Sequence, residues 1–447
     1  MKIRQVVFLA DRSLGAGSIL PGLEQLGLQI CDRFSADGSE SLMVCDPGFE
    51  AMPSGCALLH QALESGCPVL LDPKRTAVLE EIRQTGGLSE ETRSELAAQA
   101  LFRCIESDAR MLESLQSPSG GLPRYEVKAF EKVQDLRYGE NWHQKAALYR
   151  RSGGRGLYAA RKLNGREMSY NNVVDAEAVL EMLIDLSMYD GVKVERPLSV
   201  IVKHANPCGV AYGENQAEAY RLSFATDPKS AFGGVIGFER PVDVEAARAI
   251  GDSFVEVLLA PGYEPEALRL LTEKKPNRRI LDVGDLLERS DALYSNRYLK
   301  NTFGGIMLQD YDTCDLEEWR VVTERSPTDS ETRALRFAWK VAKYVKSNAL
   351  VYTTENQTIG IGSGQVSRVD SARFGAEKAL EHGLSTRGTV AATDSFFPFR
   401  DGLDETFKAG ATAVIHPGGS IRDAEVIDAA NEHGMAMVFT GVRHFRH

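Results

Sequence analysis

The sequence contains no run of eighteen apolar residues, which excludes a membrane-spanning helix. Basic charge is short too. Lys and Arg total 52 against 63 Asp and Glu, leaving a net charge of −11. A general nucleic-acid binder needs a basic surface to displace counterions, so that class is excluded. An anionic small molecule is not, because a few arginines in one pocket suffice. The seven cysteines are odd in number and scattered, with no C-x-x-C pair. They read as reduced thiols of a cytoplasmic protein, mostly in the core. A zinc deaminase needs H-x-E and P-C-x-x-C. Here His204 is followed by Ala205 and Asn206, and Cys208 by Gly209 and Val210, so a catalytic zinc is excluded and no metal is assigned. Gly15-Ala16-Gly17 does not stand directly behind a strand in a G-x-G-x-x-G frame, so no dinucleotide site is assigned either. The first ten residues hold too short an apolar core for a signal peptide and read as a first strand.

What is present is an ordinary globular composition, 43% apolar and 26% charged over 447 residues, with room for roughly two to four domains. Strands are expected at residues 5–10, 42–45 and 68–71, with helices at 18–26 and 56–64, making residues 1–72 a small α/β unit. Residues 73–123 read as a helical connector and linker. Helical spacing runs over 76–84 and 90–116, Ser89 is the helix start, and the Ser/Pro/Gly-rich stretch 117–123 is the linker. Residues 124–330 alternate helices (176–187, 242–258) with strands (198–202, 303–308), and the charged stretch 274–297 is a surface excursion. From 331 to 447 strands are expected near 349–352, 359–361, 390–392, 413–415 and 437–439, with helices at 332–342 and 370–382. The recurring strand–turn–helix pattern indicates α/β layers.

One stretch organises the rest. Val200-Ile201-Val202 drives into Lys203-His204, and Asn206-Pro207-Cys208-Gly209 follows as a turn. That puts an ammonium and an imidazole together at the end of a buried strand. A neutral His can take a proton near neutral pH, and an adjacent ammonium can hold developing negative charge. Other stretches carry compatible groups. Arg137 offers a planar fork for phosphate and Tyr138 a flat face for a ring. The paired Gly233-Gly234 allows close backbone approach to a ligand. Asn348 can donate to an oxyanion, and Arg368 can clamp a carboxylate or phosphate. Phe396, Phe397 and Phe399 make either an aromatic slot or a core cluster. The run from His416 to Asp423 could fold into a backbone nest for an anion. The final Arg443-His444-Phe445-Arg446-His447 is either a docked tail or a frayed basic end.

Together these stretches resemble the transformylase half of the aminoimidazole carboxamide ribonucleotide (AICAR) transformylase/IMP cyclohydrolase family. The motifs R-Y-G-E-N-x-H-Q, S-Y-N-N, K-H-A-N-P-C-G, S-A-F-G-G, K-S-N-A, G-S-G-Q-V-S-R, F-F-P-F-R-D-G, P-G-G-S-I-R-D and R-H-F-R-H occur in family order between about residues 75 and 447. The resemblance implies a pair of zinc-free, cytidine-deaminase-like α/β units. It implies that the 5-amino group of AICAR takes the formyl group of 10-formyltetrahydrofolate, with His204 as base, Lys203 steadying the transition state and Asn348 assisting. It places Arg137, Tyr138, Asn172, Gly233, Glu256, Arg368 and Arg443 at nucleotide-binding positions, and Val369, Phe396, Asp401, Ser420 and Ile421 at folate-binding ones. It implies a homodimer with shared active sites, and is compatible with a bound monovalent cation.

Two positions depart from the family pattern: Trp142 stands where Pro is usual, and His416 where Gln is frequent. The larger departure is at the front. Residues 1–72 contain neither the S-T-G-G-T phosphate loop nor the D-G-R-V-K-T-L-H-P stretch of the cyclohydrolase half, although residues 76–115 resemble its closing segment. The expectation is a formyl transferase without ring closure to IMP. The alternatives are a bifunctional enzyme with a divergent front end and a nucleotide-binding regulator that has lost catalysis.

Overall fold

The computed structural model describes residues 2–9, 26, 28–31, 40–45, 55–71, 76–116, 121–151, 154–288 and 297–447. All but the last residue of the helix expected at 18–26, the glycines near position 15, residues 117–120 of the linker and most of the charged end at 289–296 lie outside the described residues. No described helix is long and apolar enough to cross a membrane. The class is α/β, as expected.

Up to Glu131 the chain forms one compact unit. Strands β1 (Gln5–Leu9), β2 (Gln29–Cys31), β3 (Ser41–Cys45) and β4 (Val69–Leu70) form a parallel sheet in the order β2-β1-β3-β4. Helices α1 (Gly55–Glu64), α2 (Thr76–Thr85) and α3 (Glu90–Leu115) cover it. Every residue of β3 is buried. Leu42 and Val44 pack with Val78, Ile82 and Leu96, while Met43 and Cys45 pack with Leu59, Ala100 and Cys104. Thus α2 and α3, which read as a connector, share the core of this sheet. Ser89 caps α3, its hydroxyl accepting the Thr92 N–H at 3.2 Å.

Lys132–Arg150 and Gly154–His447 form the second unit, and within it one topology occurs twice. The first sheet runs β7-β6-β8-β9-β10-β5, from β5 (Arg161–Asn164), β6 (Leu198–Lys203), β7 (Asn206–Tyr212), β8 (Val235–Phe238), β9 (Val257–Ala260) and β10 (Arg279–Asp282). The second runs β13-β12-β14-β15-β16-β11, from β11 (Arg320–Val321), β12 (Leu350–Thr353), β13 (Thr358–Gly362), β14 (Val390–Thr393), β15 (Ala413–His416) and β16 (Ala436–Phe439). In each, an antiparallel hairpin pairs antiparallel with the third strand, two parallel pairings follow, and the far edge strand is antiparallel. The intervening helices correspond as well. In the first repeat they are α4 (Tyr170–Leu186), α5 (Gln216–Thr226), α6 (Val244–Ile250) and α7 (Pro265–Glu273). In the second they are α8 (Asp329–Ala342), α9 (Arg368–Glu381), α10 (Arg400–Lys408) and α11 (Asp423–Glu432).

Strand alternation divides the core. Leu198, Val200 and Val202 of β6 face a shared core with α4, α8 and one face of the second sheet, while Ile201 faces away. Val351 joins that shared core; Leu350 and Tyr352 face α9 and α10. A Cβ on Gly209 would meet the Ser223 carbonyl of α5 at 1.8 Å, and one on Gly362 would meet the Ser371 carbonyl of α9 at 1.9 Å. The hairpin strand of each repeat therefore lies directly under its helix because no side chain intervenes. The edges β7 and β13 meet antiparallel at Ala211 and Gln357.

Three expectations are corrected. The turn read at residues 206–209 is strand β7; the reversal occurs one step earlier, on His204 and Ala205. The helix read over 242–258 ends at Ile250, and its apolar end is the parallel strand β9. A strand buried on both faces lacks alternation, so periodicity alone does not separate it from a buried helix. The charged stretch from 274 contains β10, whose Arg279 is buried because Glu256 and the Glu167 carbonyl accept its N–H groups.

Candidate active site

Strand β6 ends at Lys203, which pairs with Asn206 across a two-residue turn. Both turn residues are left-handed, His204 at φ 55° and Ala205 at φ 56°. This twist suits a tight hairpin but is one that side chains with a Cβ disfavour. The turn is held from several directions. Asp175 of α4 accepts the His204 N–H at 3.2 Å and the Ala205 N–H at 2.7 Å. Asn206 accepts the Lys346 N–H at 3.0 Å. The Lys203 ammonium donates to the Phe232 carbonyl at 2.8 Å. Burial raises the pKa of Asp175, against the two N–H groups that stabilise its charge. Lys203 and His204 line a cavity of about 500 Å³ at the β7–β13 seam, with Cys208, Asp227 and Lys229 on one side and Ser363, Phe374 and Lys378 on the other.

The start of α4 gathers a second group. Ser169 and Asn172 form a reciprocal capping box there. The preceding loop lies along it, Arg137 N–H on the Met168 carbonyl at 3.1 Å and Tyr170 N–H on the Tyr138 carbonyl at 3.2 Å. Asn172 and Asp175 are three residues apart and share a helix face, so one helix start addresses both the Arg137–Tyr138 loop and the His204 turn. Arg137 and Glu256 line a further cavity of about 320 Å³ with Arg166, Phe254 and Lys274. Gly233 lies against the Phe254 ring, which packs on Phe232 with centroids 5.1 Å apart. Trp142 is 88% exposed.

In the second repeat, the Arg368 guanidinium is buried and gives four hydrogen bonds. It donates to Thr393 at 2.5 Å, the Phe396 carbonyl at 2.8 Å, Asn348 Oδ1 at 3.0 Å and Asp394 at 2.7 Å. Asn348 gives one side-chain N–H to the Gln365 carbonyl at 2.9 Å. The expected anion nest forms, since Gly418 and Gly419 have positive φ. Its occupant belongs to the chain itself: Asp423 accepts the Gly419 and Ser420 N–H groups at 2.7 and 3.1 Å. Of the three aromatics near position 397, Phe397 is core, Phe396 is half-buried, and Phe399 is exposed beneath the Arg422 guanidinium. The C-terminal segment is docked. His444 is buried, its N–H on the Asp394 carbonyl at 2.9 Å, and the Arg446 carbonyl accepts the Ser347 N–H at 3.0 Å.

The family described as AICARFT/IMPCHase bienzyme matches residues 67–378. A bifunctional purine biosynthesis protein PurH of Acidithiobacillus ferrooxidans is 47% identical over 406 residues, covering 88% of this chain and 75% of that protein. Those of Chloroflexus aurantiacus and Persephonella marina are 45% and 42% identical, covering 88% and 93% of this chain and 74% and 79% of theirs. The chain belongs to the AICARFT/IMPCHase bienzyme family. That is an enzyme family, and the relatives' names place it in purine biosynthesis.

Within this family member the expected site residues fall into two groups. Arg137, Tyr138, Asn172, Lys203, His204, Gly233 and Glu256 gather around the start of α4 and the end of β6. Asn348, Arg368 and Phe396 gather around Asp394, with Val369 next to Arg368 on α9. The groups join through Asn206, whose side chain holds Lys346 two residues before Asn348. Neither Asn348 nor Arg368 is among the residues lining the cavity of Lys203 and His204. Asp401 is exposed on the first turn of α10; the half-buried Ser420 and exposed Ile421 lie on the loop after β15, and Arg443 is exposed in the docked segment. Sequence reasoning missed Asp175, Phe232 and Asp394. The first had a signal, its three-residue spacing from Asn172; the other two act through contacts between residues distant in sequence.

Proposed function

We propose that this chain transfers the formyl group of 10-formyltetrahydrofolate to the 5-amino group of AICAR, releasing formyl-AICAR and tetrahydrofolate. The observation that carries this reading is the left-handed turn that sets His204 beside Lys203 at the edge of a cavity. The amine is a poor nucleophile because its lone pair is delocalised into the imidazole–carboxamide system. A base must take its proton as the N–C bond forms, and donors must hold the oxyanion on the formyl carbon. His204 takes that proton and returns it to the folate nitrogen as the old C–N bond breaks. Lys203 holds the oxyanion; Asn348, which stands outside the lining of this cavity, assists from the neighbouring Arg368 group. Arg137 takes the phosphate of the nucleotide and Glu256 its ribose side, in the cavity beyond Phe232, with Tyr138, Asn172, Gly233 and Arg443 completing its surroundings. Arg368 orients Asn348 from behind. Val369, Phe396, Asp401, Ser420 and Ile421 form the folate side; the exposed Ile421 and half-buried Phe396 offer it apolar surface. The active unit is a homodimer, and sedimentation at working concentration should return twice the chain mass. The direct test is AICAR plus 10-formyltetrahydrofolate, followed by tetrahydrofolate release; no release from pure, folded protein would overturn the reading.

We further propose that this chain does not close the ring to IMP. What supports this is the lack of both cyclohydrolase motifs in the sequence. Incubation with formyl-AICAR should give IMP no faster than buffer does, and enzyme-accelerated formation would favour the bifunctional alternative.

A further inference from the structure

We propose that Asp175 is the positioning residue for His204, its carboxylate holding the His204-Ala205 pair in the left-handed conformation that aims the imidazole at the cavity. This rests on the formyl-transfer reading. Three described non-glycine residues have positive φ, and two of them form this turn. The N–H groups of a two-residue turn have no partner in the ladder, so a side chain that accepts both can fix the turn's conformation. Asp175 supplies it with both oxygens, at 2.7 Å to Ala205 and 3.2 Å to His204. It reaches the turn from another element, the second turn of α4, and is not among the residues lining the cavity. Its effect on turnover therefore runs through the turn and not through contact with substrate. On the far side, Asn206 donates to the His204 carbonyl at 3.4 Å, and its own oxygen is bound by Lys346. The peptide is thus gripped on both edges, next to the cavity that His204 lines.

The test compares Asp175→Ala, Asp175→Asn and the double variant Asp175→Ala/Ala205→Gly by steady-state kinetics and by amide exchange. For Asp175→Ala, kcat should fall by about 30- to 100-fold, the scale of a base displaced by about an ångström, with both KM values within about threefold. Asp175→Asn keeps one acceptor and should lose about tenfold. Glycine adopts the left-handed conformation without a Cβ clash, so the double variant should regain at least about fivefold over Asp175→Ala. Exchange of the His204 and Ala205 amides should be at least about tenfold faster in Asp175→Ala, since their acceptor is gone. The proposal is overturned by turnover of Asp175→Ala within twofold of wild type, by a loss confined to KM, or by a loss in folded protein that glycine does not reduce. Should Asp175→Ala not fold, the same comparison with Asp175→Asn and Asp175→Asn/Ala205→Gly decides. A wild type without turnover defeats the formyl-transfer reading instead, and the amide exchange then tests the hold on the turn by itself.

Discussion

The hairpin turn of the first sheet and that of the second occupy one place in one topology, yet they are built for different ends. In the first, His204 and Ala205 reverse the chain in two left-handed residues, and Asp175 on the preceding helix binds their backbone. In the second, residues 354–357 make a wider turn without positive φ. There the preceding helix binds a side chain: Ser330 and Arg333 of α8 hold Glu355, Arg333 at 2.6 Å. Each tip also docks on the opening of the other repeat. Asn206 receives the Lys346 N–H at 3.0 Å; Asn356 receives the Tyr212 N–H at 2.8 Å and the Arg196 guanidinium. A duplicated scaffold thus supplies two equivalent corners. The tight corner leaves an imidazole uncommitted beside an ammonium, while the wide one consumes its polar groups in holding itself. Substitutions at the two corners should therefore part company. His204→Ala should cut kcat by roughly 10²- to 10⁴-fold, the usual worth of a positioned general base, with AICAR binding by calorimetry changed little. Glu355→Ala should leave kcat within twofold and cost about 0.5–1 kcal/mol of stability, as partly exposed ion pairs do. Equal losses of turnover at both corners would end the contrast.

The sequence makes the first corner's chemistry legible but not its geometry. Lys203 and His204 stand out because a β-branched run leads into them. Proline and glycine at 207 and 209 then draw the turn to the wrong place, since turn statistics favour those residues over His-Ala. What overrides local preference is a carboxylate 29 residues upstream, and no window of sequence contains both. The same holds for Arg368. Its chemistry suits an external anion, and its guanidinium is spent on Asp394, Asn348 and two oxygens of the strand edge. Strands β6 and β12 to β16 are legible from their apolar runs. Strand β9 is not, because its first apolar residues fall at the end of the stretch 242–258 that reads as one helix.

A second comparison sets these corners against the joint between the repeats, where charge serves stability. Asp185 of α4 meets the ammonium groups of Lys340 on α8 and of Lys343 just after it at 2.8 and 3.0 Å, and the Tyr344 hydroxyl at 2.8 Å. Burial by itself would raise its pKa, but Lys343 and Lys340 beside it bring it down to about 2. A carboxylate held below its ordinary value near 3.9 contributes stability that is complete above that value and lost as pH falls through 2. Asp185→Asn strands two buried ammonium groups and should cost about 3–5 kcal/mol in denaturant unfolding at pH 7. The gap to wild type should narrow by about 1.8 kcal/mol between pH 4 and pH 2. A gap independent of pH would mean that Asp185 acts there by packing alone.

A smaller titration effect than that of Asp185, and one that favours the variant, is expected beside the self-filled nest of the second repeat. His416 ends β15 fully buried between Phe397 and Phe439, and its Nδ1 accepts the Gly418 N–H at 3.0 Å. Burial, with the charge of Arg368 nearby, pushes its pKa down to about 3. Below the ordinary value near 6.5 the unfolded chain binds a proton that the native imidazole refuses, so wild type loses stability as pH falls from 6.5 towards 3. Glutamine can accept the same N–H and does not titrate. His416→Gln should therefore gain on wild type by about 1 kcal/mol between pH 7.5 and pH 5.5, read as the difference between their denaturant midpoints at the two pH values. A variant that loses ground on acidification would show that His416 is charged in the native state. A charged imidazole carries a proton on Nδ1, which could then no longer accept the Gly418 N–H.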